Sequence, residues 1–165
     1  MTGKIEQRLQ ELGLSLPAPW SLPGGTLIGS TLVRVQGERV FVGGHVPLDS
    51  QGQVTGPFGR VGAEVSLEQA QEAARRALLA ILASLKEQLG DLDRIGAWLR
   101  VGGYVNTAPT FVEYPRVMNA ASRLLTELFG EARGRHARLA IGVAGLPWGV
   151  PVEIEAELSL VVQQA

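Results

Sequence analysis

An arginine in the C-terminal third of the chain has a setting that suits anion binding. Arg138 begins an alternating segment whose next residues on the same side are small, namely Ala140, Gly142 and Ala144. Small residues in a strand let a ligand or another backbone approach closely. A guanidinium fixed beside such a shelf suits bidentate capture of a carboxylate. The alternative is an exposed or cross-strand-paired charge, the commoner state of an arginine in a strand.

Three glutamates, Glu153, Glu155 and Glu157, occupy alternate positions of the following segment. Glu153 would act as a general base or orient a water molecule if it were partly removed from solvent beside an arginine. For Glu155 and Glu157 the pattern is equally typical of a sheet edge that charges protect from unwanted pairing. The spacing alone does not decide whether Glu153 is a catalytic carboxylate or another protective charge of this kind.

The chain has two histidines, His45 and His136, and no cysteine. Neither histidine has a second ligand at metal-binding spacing, and no glycine-rich phosphate-binding motif occurs. We therefore expect no metal and no cofactor. His136 stands two residues before Arg138 and would serve the same cleft as an acid or a hydrogen-bond donor. The alternative for His136 is a loop histidine with no role, and that reading is stronger still for His45.

Composition limits the classes of protein. The chain has 165 residues, of which 45% are hydrophobic and 19% charged, so one domain with its own core is expected. The absence of cysteine, of a signal peptide and of a long apolar run favours a cytoplasmic protein without a membrane segment. A net charge of −1 provides no field that attracts polyanions, which argues against nucleic acid as a partner.

Hydrophobic periodicity and turn residues predict the elements that position these side chains. A short helix over residues 3–12 precedes a proline- and glycine-rich loop over residues 14–29, which we expect Trp20 to anchor. Residues 31–44 predict a β-hairpin around Gly37. A capping box of Ser66 and Gln69 begins a helix that ends at Gly90, and a second helix runs from Pro115 to Gly130.

Period-two alternation predicts one long strand between these helices and two strands after them, at residues 95–106, 139–143 and 152–160. The order of elements predicts an α+β sheet with both helices on one face. We expect the other face to carry the chemistry, with a partner covering part of it. That face would receive Arg138, Ala140 and Glu153 together with Trp98, Arg100 and Tyr104.

The C-terminal segment also resembles a known family. Ala137-Arg138, Val143, Leu146-Pro147 and Val152-Glu153-Ile154-Glu155-Ala156 look like the signature of the RidA/YjgF family, formerly called endoribonuclease L-PSP. The segments Val40–Asp49 and Val117–Ala120 resemble the second strand and second helix of that family. The likeness covers residues 32–161. Residues 1–30 are thus expected to be an N-terminal extension of a single RidA/YjgF-like domain over residues 31–165.

The resemblance implies a chorismate-mutase-like fold and a homotrimer whose sites lie in clefts between subunits. It implies that Arg138 binds the carboxylate of a 2-imino acid or its enamine tautomer, and that Glu153 positions the attacking water. It further implies that Gly44 and Ala140 line this pocket and that Asn119 supports it. Where the best-studied branch has a tyrosine before the first strand, this chain has Ser30 or Thr31. Where that branch has a polar or thiol residue two after the arginine, this chain has Ala140.

Three functions follow as hypotheses. The first is hydrolysis of reactive imines, carried by Arg138 and Glu153. The second is a trimer that binds a small carboxylate without turnover, which the absent tyrosine favours. The third, a ribonuclease or translation inhibitor, is disfavoured by the near-neutral charge.

The spacing of the two site residues also predicts that one chain does not hold the whole site. If the last two strands form a hairpin turning near Trp148, Arg138 pairs with Leu158 and Glu153 pairs with Val143. The two residues then lie roughly 17 Å apart along the ladder. We therefore expect Arg138 of one chain to meet Glu153 of its neighbour.

Overall fold

The computed structural model describes residues 3–22 and 27–161; of the predicted N-terminal loop, residues 23–26 lie outside this part. Within these residues, three helices and five strands form the fold, joined in places by short 3-10 turns. In chain order they are α1 (Lys4–Glu11), β1 (Val33–Gln36), β2 (Arg39–His45), α2 (Leu67–Leu89), β3 (Ile95–Asn106), α3 (Tyr114–Gly134), β4 (Ala137–Val143) and β5 (Val152–Leu160). The predicted α+β class and order of elements are confirmed.

The sheet has the strand order β1-β2-β5-β3-β4. β3 and β4 are parallel and joined by α3, while all other neighbours are antiparallel. Parallel neighbours need a crossover, and the long helix supplies it. The predicted hairpin of the last two strands is wrong, because β3 lies between β4 and β5. Residues 144–151, a connection that includes a 3-10 turn at Pro147–Gly149, cover the width of that intervening strand.

Both long helices pack on one face of the sheet. The capping box is present: the Ser66 side chain accepts from the Gln69 N–H, and the Gln69 side chain accepts from the Ser66 N–H. α3 is interrupted at Gly130, whose φ of 72° is left-handed and suits glycine. Within the described residues no helix is long and apolar enough to cross a membrane.

The two faces of β4 are the reverse of those predicted. Leu139 and Ile141 are 38% and 37% exposed on the side away from the helices. Arg138 instead bonds to α3, Ala140 packs against the core, and a Cβ at Gly142 would meet the ring of Tyr114. An alternating strand fixes which residues share a face, but not which face the helices cover.

Trp98 was predicted on the chemical face and lies instead in the core. It is 1% exposed and meets Phe129 of α3 edge to face, with ring centroids 5.6 Å apart. The pairing of β3 with β5 shifts register between Ile95 and Ala97 and again between Trp98 and Arg100. Each irregularity changes the side to which later residues point, so simple alternation fails along this part of β3.

A buried polar pair joins the end of β2 to α2. The Nδ1 of His45 lies 2.8 Å from the carbonyl of Gly43, and its Nε2 lies 2.8 Å from the Ser84 hydroxyl. Since a carbonyl only accepts, Nδ1 carries the proton and the Ser84 hydroxyl donates to Nε2. Trp20 packs on this ring at 5.7 Å between centroids, so the predicted anchoring of the N-terminal loop by Trp20 has a physical basis.

This pair makes stability depend on pH. Burial lowers the pKa of His45 from 6.5 to about 4, against the opposing effect of the Gly43 carbonyl. Unfolded His45 takes up a proton below pH 6.5 and folded His45 does not. Its contribution to the free energy of unfolding is therefore complete above pH 6.5 and is lost as pH falls toward 4, by about 3 kcal/mol. Urea unfolding of wild type and His45→Gln near neutral pH and near pH 4 measures this difference.

Ser84→Ala is the matched control, because it removes the hydrogen bond at both pH values while the titrating ring stays. We expect it to lose about 1–2 kcal/mol throughout and to keep the wild-type pH dependence. An equal loss of stability on acidification in wild type and His45→Gln would contradict this account. NMR titration of wild type provides a second check, with His45 expected to stay neutral down to about pH 5.

Candidate functional site

Arg138, the second residue of β4, is held by two side chains of α3. One of its terminal nitrogens, Nη1, donates to Asn119 Oδ1 at 3.0 Å and to Ser122 Oγ at 3.1 Å. Asn119 and Ser122 are three residues apart and thus share one side of the helix. Both Nη1 hydrogens are used in this way. The Nε–Nη2 edge, the edge that binds a carboxylate through two parallel hydrogen bonds, has no partner among the described residues.

The positive charge of Arg138 is not neutralised within the described part of the chain. Its two acceptors are neutral, and no carboxylate there forms an ion pair with it. Partial burial lowers the pKa of this guanidinium, which shows that the surroundings disfavour the charge. A partly desolvated cation without a counter-charge is costly. An anion bound on the free edge would remove this cost.

An open cavity of about 290 Å³ adjoins Arg138, and its lining is basic and hydroxylated: Ser122, Thr126, Arg135, His136 and Arg138. No carboxylate belongs to this lining. The Arg135 guanidinium lies 3.6 Å from Glu131 and is exposed to solvent. The ring of His136 is fixed by the Gly134 carbonyl at 2.8 Å and by the Ser122 hydroxyl at 3.0 Å. The cavity therefore has the charge and donors that suit a small anion.

Glu153 lies on the face of the sheet that the described helices do not cover, called the open face below. It is next to the bulge in β2 between Val42 and His45. A Cβ at Gly44 would overlap the Glu153 carboxylate, so the glycine leaves the space that this side chain occupies. Burial, and secondly the charge of Glu155, raise the pKa of Glu153 above its usual value. No described residue donates a hydrogen bond to it. Such a carboxylate is a better proton acceptor than an ordinary solvated one.

The other two glutamates of β5 have partners. Glu155 accepts from the Tyr104 hydroxyl at 2.8 Å and lies 3.3 Å from the Arg100 guanidinium. Glu157 pairs with Arg39 at 2.9 Å. The edge-strand explanation of these charges is wrong, because β5 lies between β2 and β3. Of the three carboxylates, Glu153 is the one that structural pairing does not explain.

Arg138 and Glu153 do not meet within one chain. Arg138 pairs with Val101 and Glu153 with Tyr104, and these two partners lie three residues apart on β3. The separation is thus about 10 Å along the strands and about 10 Å across them. In addition, Arg138 contacts α3 whereas Glu153 lies on the opposite face of the sheet.

The remaining site candidates, apart from Ser30, divide between these two groups. Asn119 belongs with Arg138, and Gly44 with Glu153. Ala140 lies on the Arg138 side of β4 and packs partly into the core. Ser30 is exposed in the segment before β1. One chain therefore presents two candidate half-sites, each of which contains predicted residues.

Sequence reasoning missed Ser122, which bonds both Arg138 and His136. A signal was present, because Asn119, Ser122 and Thr126 are uncharged polar residues spaced three and four apart in α3. That spacing places them in one stripe along the helix. This stripe contacts Arg138 because α3 packs on the side of β4 to which Arg138 points. The sequence had predicted Arg138 on the opposite side of β4, so the contact was not expected.

Comparisons with known proteins agree with this fold. Residues 6–161 match a family model described as "YjgF/chorismate_mutase-like, putative endoribonuclease". Protein TCP17 of Trypanosoma cruzi is 36% identical over 159 residues, 96% of this chain and 96% of TCP17. The crystal structure of Atu1372 from Agrobacterium tumefaciens is 37% identical, with a TM-score of 0.84 over 95% of this chain and 92% of its own. A "putative endoribonuclease" from Shewanella oneidensis MR-1 is 30% identical, with a TM-score of 0.86 over 96% of this chain and 100% of its own.

The raised pKa of Glu153 predicts that removing its charge stabilises the fold. At neutral pH the carboxylate is ionised in a partly buried position, and Glu153→Gln relieves this cost. We expect a melting temperature about 2 °C above wild type at pH 7. The gain should shrink as pH falls toward the ordinary pKa of glutamate, because the Glu153 side chain of the folded wild type then becomes neutral, as glutamine is at every pH. Glu157→Gln is the matched control; it breaks an ion pair and should give no gain, so equal stabilisation by both variants would count against the assignment.

Proposed function

Because the chain belongs to the YjgF/chorismate-mutase-like family, we propose that it hydrolyses reactive 2-imino acids and their enamine tautomers to 2-keto acids and ammonia. The observation that carries this proposal is the partly buried Arg138, which has a free bidentate edge and no counter-charge among the described residues. A substrate of this class brings the missing carboxylate. Its electrophilic carbon is directly attached to that carboxylate, so binding the anion also fixes the reacting atom.

Glu153 positions the nucleophile in this proposal. Water adds through oxygen to the carbon of the protonated C=N bond, and the Glu153 carboxylate accepts the proton that the water loses. Glu153 then returns that proton to the nitrogen of the resulting carbinolamine. As the C–N bond breaks and ammonia leaves, the carbinolamine hydroxyl loses its proton to the Glu153 carboxylate and becomes the C=O group of the 2-keto acid. The raised pKa of Glu153 and its lack of a described donor support this role.

We further propose that the site forms between copies of the chain, in a homotrimer. Arg138 and Glu153 lie on opposite faces of one sheet, too far apart for one small substrate. The open face also exposes apolar side chains beside Glu153 and its paired neighbours, namely Phe41, Leu139 and Ile141. Partly exposed apolar groups on a sheet face that helices do not cover are typical of an interface between subunits.

The cavity at Arg138 also supports a second candidate, binding of a small carboxylate without turnover. Arg135, His136, Ser122 and Thr126 line it together with Arg138, so an anion finds donors there without Glu153. Ser30 stands exposed in the segment where the best-studied branch of the family has tyrosine. On this account the same Arg138 holds the ligand, and Glu153 has no part in its chemistry.

A kinetic test separates these candidates. 2-Iminopropanoate is generated in situ from alanine by an amino-acid oxidase, and pyruvate formation is compared with the spontaneous rate in buffer. Wild type should accelerate hydrolysis, and Arg138→Ala should lower kcat/KM by about 100-fold through loss of a charge-assisted bidentate pair. Arg123→Ala removes an exposed guanidinium from α3 and serves as the matched control with wild-type rates.

Each result has a definite meaning. Hydrolysis at the buffer rate for wild type contradicts the proposed activity. Pyruvate that binds wild type but not Arg138→Ala, without any acceleration of hydrolysis, establishes the second candidate in its place. Equal rates for wild type and Arg138→Ala would show that turnover uses another part of the molecule.

A further inference from the structure

A chain of hydrogen bonds runs from Arg138 through Ser122 to His136. Arg138 Nη1 donates to Ser122 Oγ at 3.1 Å, Ser122 Oγ lies 3.0 Å from His136 Nε2, and His136 Nδ1 lies 2.8 Å from the Gly134 carbonyl. The carbonyl only accepts, so Nδ1 carries a hydrogen. With a neutral ring, Nε2 is an acceptor and the Ser122 hydroxyl must donate to it. The hydroxyl hydrogen is then directed at His136 and is not available to a ligand.

We propose that His136 and Ser122 form a protonation-dependent second arm of the Arg138 anion site, through which binding of a small carboxylate is coupled to uptake of one proton by His136. When Nε2 is protonated it donates to Ser122 Oγ, which already accepts from Arg138. The hydroxyl hydrogen must then turn away from both partners. A carboxylate oxygen bound in the cavity that these three side chains line would accept that hydrogen. Ser122 thus changes from a donor to His136 into a donor to the anion.

The charges around His136 favour this coupling. Arg138 faces it from β4 and Arg135 lines the same cavity, with Glu131 beside the Arg135 guanidinium. Burial, and after it the charge of Arg138, lower the pKa of His136, while the Gly134 carbonyl acts in the opposite direction. A carboxylate bound on Arg138 offsets the positive charge that opposes protonation. The pKa of His136 should therefore rise when the anion binds, and by linkage the anion should bind more tightly as pH falls.

This inference rests on the proposed function, because it requires Arg138 to be the carboxylate binder. It adds a regulation of that site and a positioning role for two residues. The free hydroxyl of Ser122 further favours carboxylates with a second acceptor next to the carboxyl carbon, such as 2-imino and 2-keto acids.

Calorimetry with pyruvate tests the coupling, since pyruvate stays ionised across the range used and is not turned over. Titrations at about pH 5.5 and about pH 8, each in two buffers of different ionisation enthalpy, give affinity and proton uptake. Wild type should bind about tenfold more tightly at the lower pH, and proton uptake should reach about half a proton per site midway between the pKa values of free and anion-bound His136. His45 stays neutral in this range because its pKa is about 4.

Three variants assign the effect to these residues. His136→Gln keeps a side chain that donates and accepts but does not titrate, so its two affinities should be equal. Ser122→Ala should lose most of the ratio, because the charge then acts without the hydroxyl. Arg123→Ala is the matched control: it removes an exposed guanidinium of α3 that does not line the cavity, so the wild-type ratio should persist.

The outcomes separate this inference from the function on which it rests. Pyruvate binding that depends on Arg138, with the same pH ratio in wild type and His136→Gln, would overturn the coupling and leave the carboxylate site intact. Binding that survives in Arg138→Ala, or no binding to wild type at either pH, would overturn both. If His136→Gln unfolds, an NMR titration of His136 in wild type decides, and an unchanged His136 pKa on adding pyruvate contradicts the proposal.

Discussion

The position of β3 between β4 and β5 is the constraint on which the account of this protein depends. Because β3 pairs with β4 in parallel and with β5 antiparallel, Arg138 and Glu153 are kept two strands apart. Arg138 contacts α3, whereas Glu153 lies on the face that no described helix covers. A single sheet therefore presents a partly buried guanidinium on one side and a partly buried carboxylate on the other. Function that needs both groups needs a second copy of the chain.

The two half-sites share an electrostatic feature. Most charged side chains that the sheet carries have partners, as in the contacts of Glu157 with Arg39 and of Glu155 with Arg100. Arg138 and Glu153 are instead partly buried and lack a counter-charge among the described residues. Each costs stability, as the lowered pKa of Arg138 and the raised pKa of Glu153 indicate. Costs of this kind are typical of groups that meet a ligand.

Signals from residues close together in the chain predicted the helices and strands. Features that depend on contacts between distant parts of the chain were not predicted. The Ser66 capping box and the alternation of residues 152–160 depend on neighbours in the chain, so they were reliable. Which face of β4 the helices cover depends on how α3 crosses the sheet, and Leu139 is as apolar as a core residue. The position of Trp98 depends on two register shifts; Gly96 marks the first, and no glycine or proline marks the second. Two antiparallel strands joined by eight residues also look like a hairpin unless a third strand is known to lie between them.

Complementation between two inactive variants tests most directly whether the site is shared between copies. Arg138→Ala and Glu153→Gln are each expected to be inactive alone in imine hydrolysis, and they are co-expressed at equal levels with separate tags and purified as mixed oligomers. In the proposed trimer, each mixed oligomer has one of its three sites with Arg138 from one copy and Glu153 from its neighbour, so activity should return to about a third of wild type. Assembled oligomers mixed without exchange of subunits should stay inactive. Mixed oligomers with no more activity than either variant would contradict the account.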